Sequence, residues 1–445
     1  MNKPTLIIQD IIEQNPMGSF QKLVMFFCAL VIIFDGFDVL AIAFAAPAIS
    51  TDLGLSKAQL GPVFSSGLVG MMIGALVLGP VGDKYGRRKA ILLSVFVFGI
   101  CTLLTGFASN FNELVLLRFL TGLGLGGAMP NVTALLTEYV STKRRNIAIA
   151  VIFLGMPIGG ISGGLISAEI IPVFGWESLF FVGGLMPLLI LPLLIIWLPE
   201  SPRFLIDHPK DSDKLLLKIA QKIEQRTELS QQSTFVHNTQ GHQSNFPIKS
   251  LFIETGARDT ILIWCAFFLN LMVVYFLYTW IPTLLVNAGY GLVQATRTVV
   301  ILNIGGALAP FIFAKAISKW GSKIILTSCF FLGAVSMLAI GQVADKLVLV
   351  MSLSFFAGFF IVGGQVSLNA FASYMYSPHI RATGVGWALG IGRAGSIVGP
   401  LLAGLLVMMA LGLNTYFNVF GVLSLFTALS IYLISRHEKP HVTKG

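Results

Sequence analysis

Twelve apolar runs, each at least 18 residues long, leave this chain almost no way to fold in water. They lie at about 23–49, 59–81, 90–109, 113–137, 147–171, 178–198, 259–285, 293–314, 324–341, 346–374, 382–410 and 414–434. Crossing a bilayer takes about 20 mainly apolar residues, and within the hydrocarbon a helix satisfies its own backbone N–H and C=O groups. The expected fold is therefore an all-α polytopic membrane protein with twelve transmembrane helices. Composition agrees: only 11% of the 445 residues are charged, against about 25% in a soluble domain. Soluble enzymes, disordered chains and nucleic-acid binders are excluded. A membrane enzyme would need a nucleophile with its base, or a metal cluster, and neither pattern occurs. Cys28, Cys101, Cys265 and Cys329 sit singly in apolar runs and read as core residues, so no metal or other cofactor is expected.

Positive charge gives the orientation. Of 29 Lys and Arg, 24 fall on the side of the membrane that holds both ends of the chain, which is therefore expected to be cytoplasmic. The segment 1–22 contains Asp10 and Glu13 and does not read as a signal peptide. The division that follows is a cytoplasmic segment 1–22, a six-helix bundle 23–198, a cytoplasmic central loop 199–257, a second six-helix bundle 258–435 and a cytoplasmic tail 436–445. Within the loop, 231–245 reads as a flexible linker, and 210–226 as an amphipathic helix lying at the cytoplasmic surface, with Leu215, Ile219 and Ile223 on one stripe.

The two bundles are parallel repeats. At an offset of 235 residues, Gly79-x3-Asp83-Lys84-x-Gly86-Arg87-Arg88 meets Ala314-x3-Ser318-Lys319-x-Gly321-Ser322-Lys323, and Asp35 with Pro47 meets Asn270 with Pro282. Function is expected where the copies differ.

A charge at mid-bilayer costs at least about 2.5–3.5 kcal/mol, so an ion inside a span is a functional candidate. Asp35 and Asp38 share one face of span one at i, i+3, about 5–6 Å apart at Cβ. Two carboxylates that close in a dry site resist joint ionisation, so the pair is a candidate proton-coupling site; the alternative is a permanent ion pair with Arg118 that holds helices together. All six histidines fall outside the spans, leaving carboxylates as the proton carriers. Arg393, twelve residues beyond Arg381, sits near the midplane with Pro157 at its repeat-related position. Its planar fork suits a carboxylate. Asn270, Tyr275, Tyr278, Trp280, Asn303, Gln365, Asn369 and Trp387 lie on flanking segments, and such a ring-rich pocket with one cation suits a small aromatic carboxylate. Glu138 ends span four within reach of Arg87 and Arg88 and reads as part of a gate. Glycines at 155, 159 and 163, and at 386, 390, 395 and 399, allow close helix crossings.

GPVGDKYGRRK at 79–89 and Arg118-x3-Gly122-x-Gly124-x-Gly126 resemble the loop and span-four signatures of the major facilitator superfamily. PESPRFL at 199–205 is similar to the segment ending span six in its sugar-porter-like and organic-acid branches. DGFD at 35–38, GLGLGGAMPN at 122–131 with Glu138-Tyr139, Trp280-Ile-Pro-Thr at 280–283 and RATGVGWALGIGRAGSIVGP at 381–400 resemble the aromatic acid:proton symporter family. That resemblance implies an importer of benzoate, hydroxybenzoates, protocatechuate or related acids into bacteria across the inner membrane; a monomer is expected. It implies roles for Asp35, Asp38, Arg118, Glu138, Arg381 and Arg393, and gating by Asp83, Arg87 and Arg88. Ser318 departs from the acidic loop position of the first repeat. The competing readings are transport of another organic anion or sugar-like solute, and a proton antiporter exporting small molecules.

Overall fold

The computed structural model describes residues 5–6, 8–208, 213–224, 234–235, 249–343, 345–377 and 380–435. The linker 231–245, apart from Thr234–Phe235, and the tail 436–445 lie outside the described residues. Twelve helices are long and apolar enough to cross a membrane, in the order expected. Spans one to six are Ser19–Asp52, Lys57–Tyr85, Arg87–Thr105, Phe111–Tyr139, Thr142–Phe174 and Glu177–Trp197; spans seven to twelve are Ala257–Asn287, Leu292–Trp320, Ser322–Gln342, Leu347–Met375, Thr383–Met408 and Leu413–Leu433. Several helices outrun their apolar runs. Span one has 34 residues, more than a hydrocarbon layer about 30 Å thick requires at about 1.5 Å per residue.

Two spans change their winding. Span five breaks at Leu154, between Thr142–Phe153 and Gly155–Phe174. Pro157 has no N–H to return to the carbonyl of Phe153, so the ladder opens at that turn. Span ten contains one π-helical turn, Gly358–Val362, between Leu347–Ala357 and Gly363–Met375.

Bare glycines set the closest crossings. A Cβ on Gly122 would lie 2.0 Å from the carbonyl oxygen of Gly67, so spans two and four meet backbone to backbone. The two halves touch through spans two and eleven, five and eight, and one and seven. These contacts lie toward the face opposite the chain ends: Ser65 donates to the Ile397 carbonyl at 2.8 Å, and the Phe64 ring meets Trp280 edge-on at 5.6 Å. Toward the face that carries the chain ends, span eleven turns Gly386 and Gly390 into open space, with nothing within 4 Å of an added Cβ. A helical turn further in, on the same side of that helix, stands Arg393. The contacts between the halves thus gather toward one face, and Gly386 and Gly390 stand uncovered toward the other.

The amphipathic helix differs from expectation. Asp213–Glu224 buries Leu216, Ile219, Ala220 and Ile223, and Leu215 is 42% exposed. It packs on protein, against Ile8–Gln14, Pro202–Asp207 and span one, because Ile8, Ile11 and Ile12 offer it an apolar surface. Glu13, on the first of these short helices, accepts from the Thr142 N–H at 2.7 Å and from its hydroxyl, tying the N-terminal segment to the start of span five. Those bonds hold the Glu13 carboxyl below its usual value.

Gly122→Ala is expected to force spans two and four apart and cost about 1–3 kcal/mol, in the range of overpacked cores. Gly386→Ala, which adds its methyl to open space, is expected to melt no lower than wild type. Thermal unfolding of both purified variants checks the contrast.

Candidate functional site

The four buried charges divide into a closed pair and an open one. Arg118, on span four, grips Asp38 bidentately, Nη2 to Oδ2 at 2.8 Å and Nη1 to Oδ1 at 3.3 Å, and also reaches the Asp38 carbonyl at 3.2 Å. Thr102 of span three donates to Asp38 Oδ1 at 2.6 Å. Both ions are nearly sealed, at 1% and 3% exposure. Arg118, expected in the substrate pocket, is thus committed to Asp38, the alternative that sequence left open. Thr102 was not anticipated: a threonine in an apolar helix gives no hydropathy signal.

Asp35 is treated differently. It is fully buried, and neither carboxylate oxygen has a hydrogen-bond partner among the described residues. The charges that act on it are the Arg393 guanidinium, from the other half of the molecule, and Asp38. Arg393 is half-buried and makes no ion pair within 4 Å among the described residues. It donates to the neutral Tyr275 hydroxyl at 3.3 Å, and Ser396 donates to its carbonyl at 2.6 Å. A carboxylate of the first half without a hydrogen bond among the described residues thus lies within the electrostatic reach of a guanidinium of the second.

Three amides lie in series between spans seven and ten. Asn270 Nδ2 donates to Gln365 Oε1 at 2.8 Å, and Gln365 Nε2 donates to Asn369 Oδ1 at 3.1 Å. Gly392 and Gly395 pack on Phe267, Phe268 and Leu271 of span seven, which sets Asn270 and Arg393 at the same depth. Two expected pocket rings stand elsewhere. Trp387 is 41% exposed and stacks on Trp264 with centroids 5.8 Å apart; an aromatic residue in an amphipathic context does not reveal which way it faces. Trp280 is sealed, and its indole N–H donates to the Pro400 carbonyl at 3.1 Å, so it joins spans seven and eleven. Asn303 donates to the Val299 carbonyl of its own helix at 3.0 Å.

The gate residues gather at the ends of spans two, four and six. Arg87 bonds Asp83 at 2.7 Å and Glu138 at 3.1 Å. Glu138 also accepts from the Ser201 hydroxyl and from the Arg203 N–H at 3.3 Å. Arg88 departs from the expected ion-pair role: its guanidinium donates to the Ile195 carbonyl of span six, and its backbone N–H donates to Glu200 Oε1 at 2.9 Å. Glu200, which sequence reading passed over inside PESPRFL, caps the start of span three, where a carboxylate is favoured by the free N–H groups and the helix dipole. Gly86 turns there with φ +106°, and a side chain would strike the Glu200 carboxylate. Arg381 is exposed at the start of span eleven and takes no part in this cluster.

The model of the Major Facilitator Superfamily matches residues 26–341 and 298–445. The chain is 38% identical over 437 residues to a gallate transporter of Pseudomonas putida, covering 98% of this chain and 96% of the relative. It is 36% identical to a 4-hydroxybenzoate transporter of Pseudomonas aeruginosa, covering 93% of each. In fold it is similar to the crystal structure of a D-xylose-proton symporter, with a TM-score of 0.73 at 16% identity over 95% of this chain and 99% of that one.

Removing one partner of a buried ion pair leaves an uncompensated charge and costs about 3–5 kcal/mol. Arg118→Leu is therefore expected to melt far below wild type, and Asp38→Asn added to Arg118→Leu to recover much of the loss. Arg393→Leu, which breaks no ion pair, is expected to change the melting temperature little. A double-variant cycle by thermal unfolding measures all three.

Proposed function

Because the chain belongs to the major facilitator superfamily, and within it to the aromatic acid transporters, we propose that it is a proton-coupled symporter importing a small aromatic carboxylate across the bacterial inner membrane by alternating access. It is a multi-pass membrane transporter and not an enzyme. The observation that carries the reading is the one open charge pair: Arg393, bonded only to a neutral tyrosine hydroxyl among the described residues, acts across the two halves on an Asp35 carboxylate without a hydrogen bond.

Charge balance supplies the coupling. With Asp35 ionised and Arg393 empty, the site is neutral overall. With Asp35 protonated and an anion on Arg393, it is neutral again. Proton without anion leaves +1, and anion without proton leaves −1; either is costly to enclose in a low dielectric. Only the empty and the doubly loaded site can close cheaply, so proton and anion travel together. Asp38, held by Arg118 and Thr102, has its charge already matched. We therefore assign the proton to Asp35 and the fixing of spans one, three and four to Asp38.

Contact between the halves on the far face and the open side of span eleven support a state open toward the chain ends, which the excess of Lys and Arg assigns to the cytoplasm. The Asp83–Arg87–Glu138 cluster, with Ser201 and Arg203, rearranges when that side closes. One chain holds both members of the open pair, so a monomer suffices.

Asp35→Asn is expected to abolish accumulation driven by a pH gradient while counterflow exchange persists; unchanged pH dependence of uptake sinks the assignment. Loss of a charge-assisted bond of about 1.5–3 kcal/mol weakens binding about ten- to a hundredfold, so affinity is expected to fall from wild type to Arg393→Lys to Arg393→Ala in binding titrations. For a monocarboxylate the cycle is electroneutral, each pH unit supplying about 1.4 kcal/mol. Proteoliposomes with an inside-negative potassium potential and no pH gradient are then expected to accumulate nothing; strong uptake would show that more than one proton moves per anion.

A further inference from the structure

The amide series between spans seven and ten has a direction. Asn270 is completely buried, and its Nδ2 donates both to Gln365 Oε1, at 2.8 Å, and to the Ile361 carbonyl, at 3.4 Å. Ile361 lies in the π-helical turn Gly358–Val362, and that carbonyl fixes which end of the amide is which: nitrogen toward span ten, oxygen away from it. Gln365 then donates onward to Asn369, and these two are half-buried, so the series runs from the dry interior outward. Its inner end is Asn270 Oδ1, buried and accepting no hydrogen bond among the described residues. Leaving a buried acceptor empty is costly, and a site that keeps one discriminates strongly for a ligand that brings a donor.

Asn270 stands at the repeat-related position of Asp35, and both present unpartnered oxygens in the core. They differ in charge. Asp35 can take a bare proton; Asn270 cannot, and can only accept a hydrogen that stays attached to its ligand. Resting on the function proposed above, we infer that Asn270 Oδ1 is the acceptor for a ring hydroxyl, and that the transporter selects hydroxylated aromatic carboxylates over unsubstituted ones. The carboxylate binds Arg393, at the same depth on span eleven, and the ring bridges to Asn270. A phenolic hydroxyl ionises near pH 10, so it is a donor at neutral pH. Gln365 and Ile361 are positioning groups: they aim the amide and do not touch the ligand.

The test is competition binding on the purified full-length protein with benzoate, the 3- and 4-hydroxybenzoates and the matching fluorobenzoates, which are close in size to the hydroxy acids and carry no donor. In wild type at least one hydroxybenzoate is expected to bind about tenfold or more tighter than its fluoro counterpart. In Asn270→Ala that preference is expected to vanish while benzoate affinity holds. Gln365→Glu keeps an acceptor for Asn270 Nδ2 and is expected to keep the preference. Equal binding of hydroxy and fluoro acids by wild type overturns the inference and leaves the transport reading standing. A preference that survives in Asn270→Ala overturns it too. If Asn270→Ala fails to fold, the wild-type comparison decides alone. Absence of binding by every aromatic acid overturns both the inference and the function on which it rests.

Discussion

An ion without a counterion is the most expensive object a bundle of apolar helices can contain, and the placement of four such ions organises this molecule. One carboxylate and one guanidinium, Asp38 and Arg118, meet at 2.8 Å with Thr102 completing the acid's shell. They tie spans one, three and four into a unit that has no charge left to offer. The other carboxylate and guanidinium come from opposite halves and are linked by field rather than by a bond. The first pair is bonded within one half; the second leaves one charge of each half open to the other.

The repeat makes the division of labour visible. Both halves place a polar residue at the same point of their first helix, Asp35 in one and Asn270 in the other, and both bury its oxygens. The two groups differ in what they are able to do: a carboxylate can exchange a proton, whereas an amide oxygen can only accept a hydrogen bond. The peripheral loops diverge in the same manner. The first has Asp83 to hold Arg87 and Glu200 to cap the following helix. The second has Ser318, whose hydroxyl donates to the Lys315 carbonyl of its own turn, and Lys323 donates to the Ile434 carbonyl at the end of span twelve.

Sequence exposes what breaks hydropathy and conceals what does not. Twelve spans, the repeat, and Asp35, Asp38, Arg118 and Arg393 all stand out because charge interrupts long apolar runs. The Asp38–Arg118 pair appeared only as one of two options, since spacing along the chain cannot say which of two carboxylates a distant arginine reaches. Thr102 and Glu200 were silent for different reasons: one is polar without being charged, and the other sits in a polar segment where a carboxylate is unremarked. Trp387 and Leu215 show the opposite error. Residue type named them as pocket wall and apolar stripe, but the direction a side chain faces depends on neighbours contributed by other elements, Trp264 in one case and the Ile8–Gln14 helix in the other.

The π-helical turn in span ten amounts to one residue more than an α-helix of the same rise would hold. Everything beyond it, Gln365 and Asn369 included, is therefore rotated by about 100° from where regular winding would carry it. Rewinding that turn as regular α-helix with every residue kept would swing both amides away from Asn270, whereas deleting one residue within 358–362 would restore the regular helix and leave them in place. The facing of these amides toward Asn270 is thus stored as a winding defect, and a regular helix with one residue fewer at this turn would present the same face.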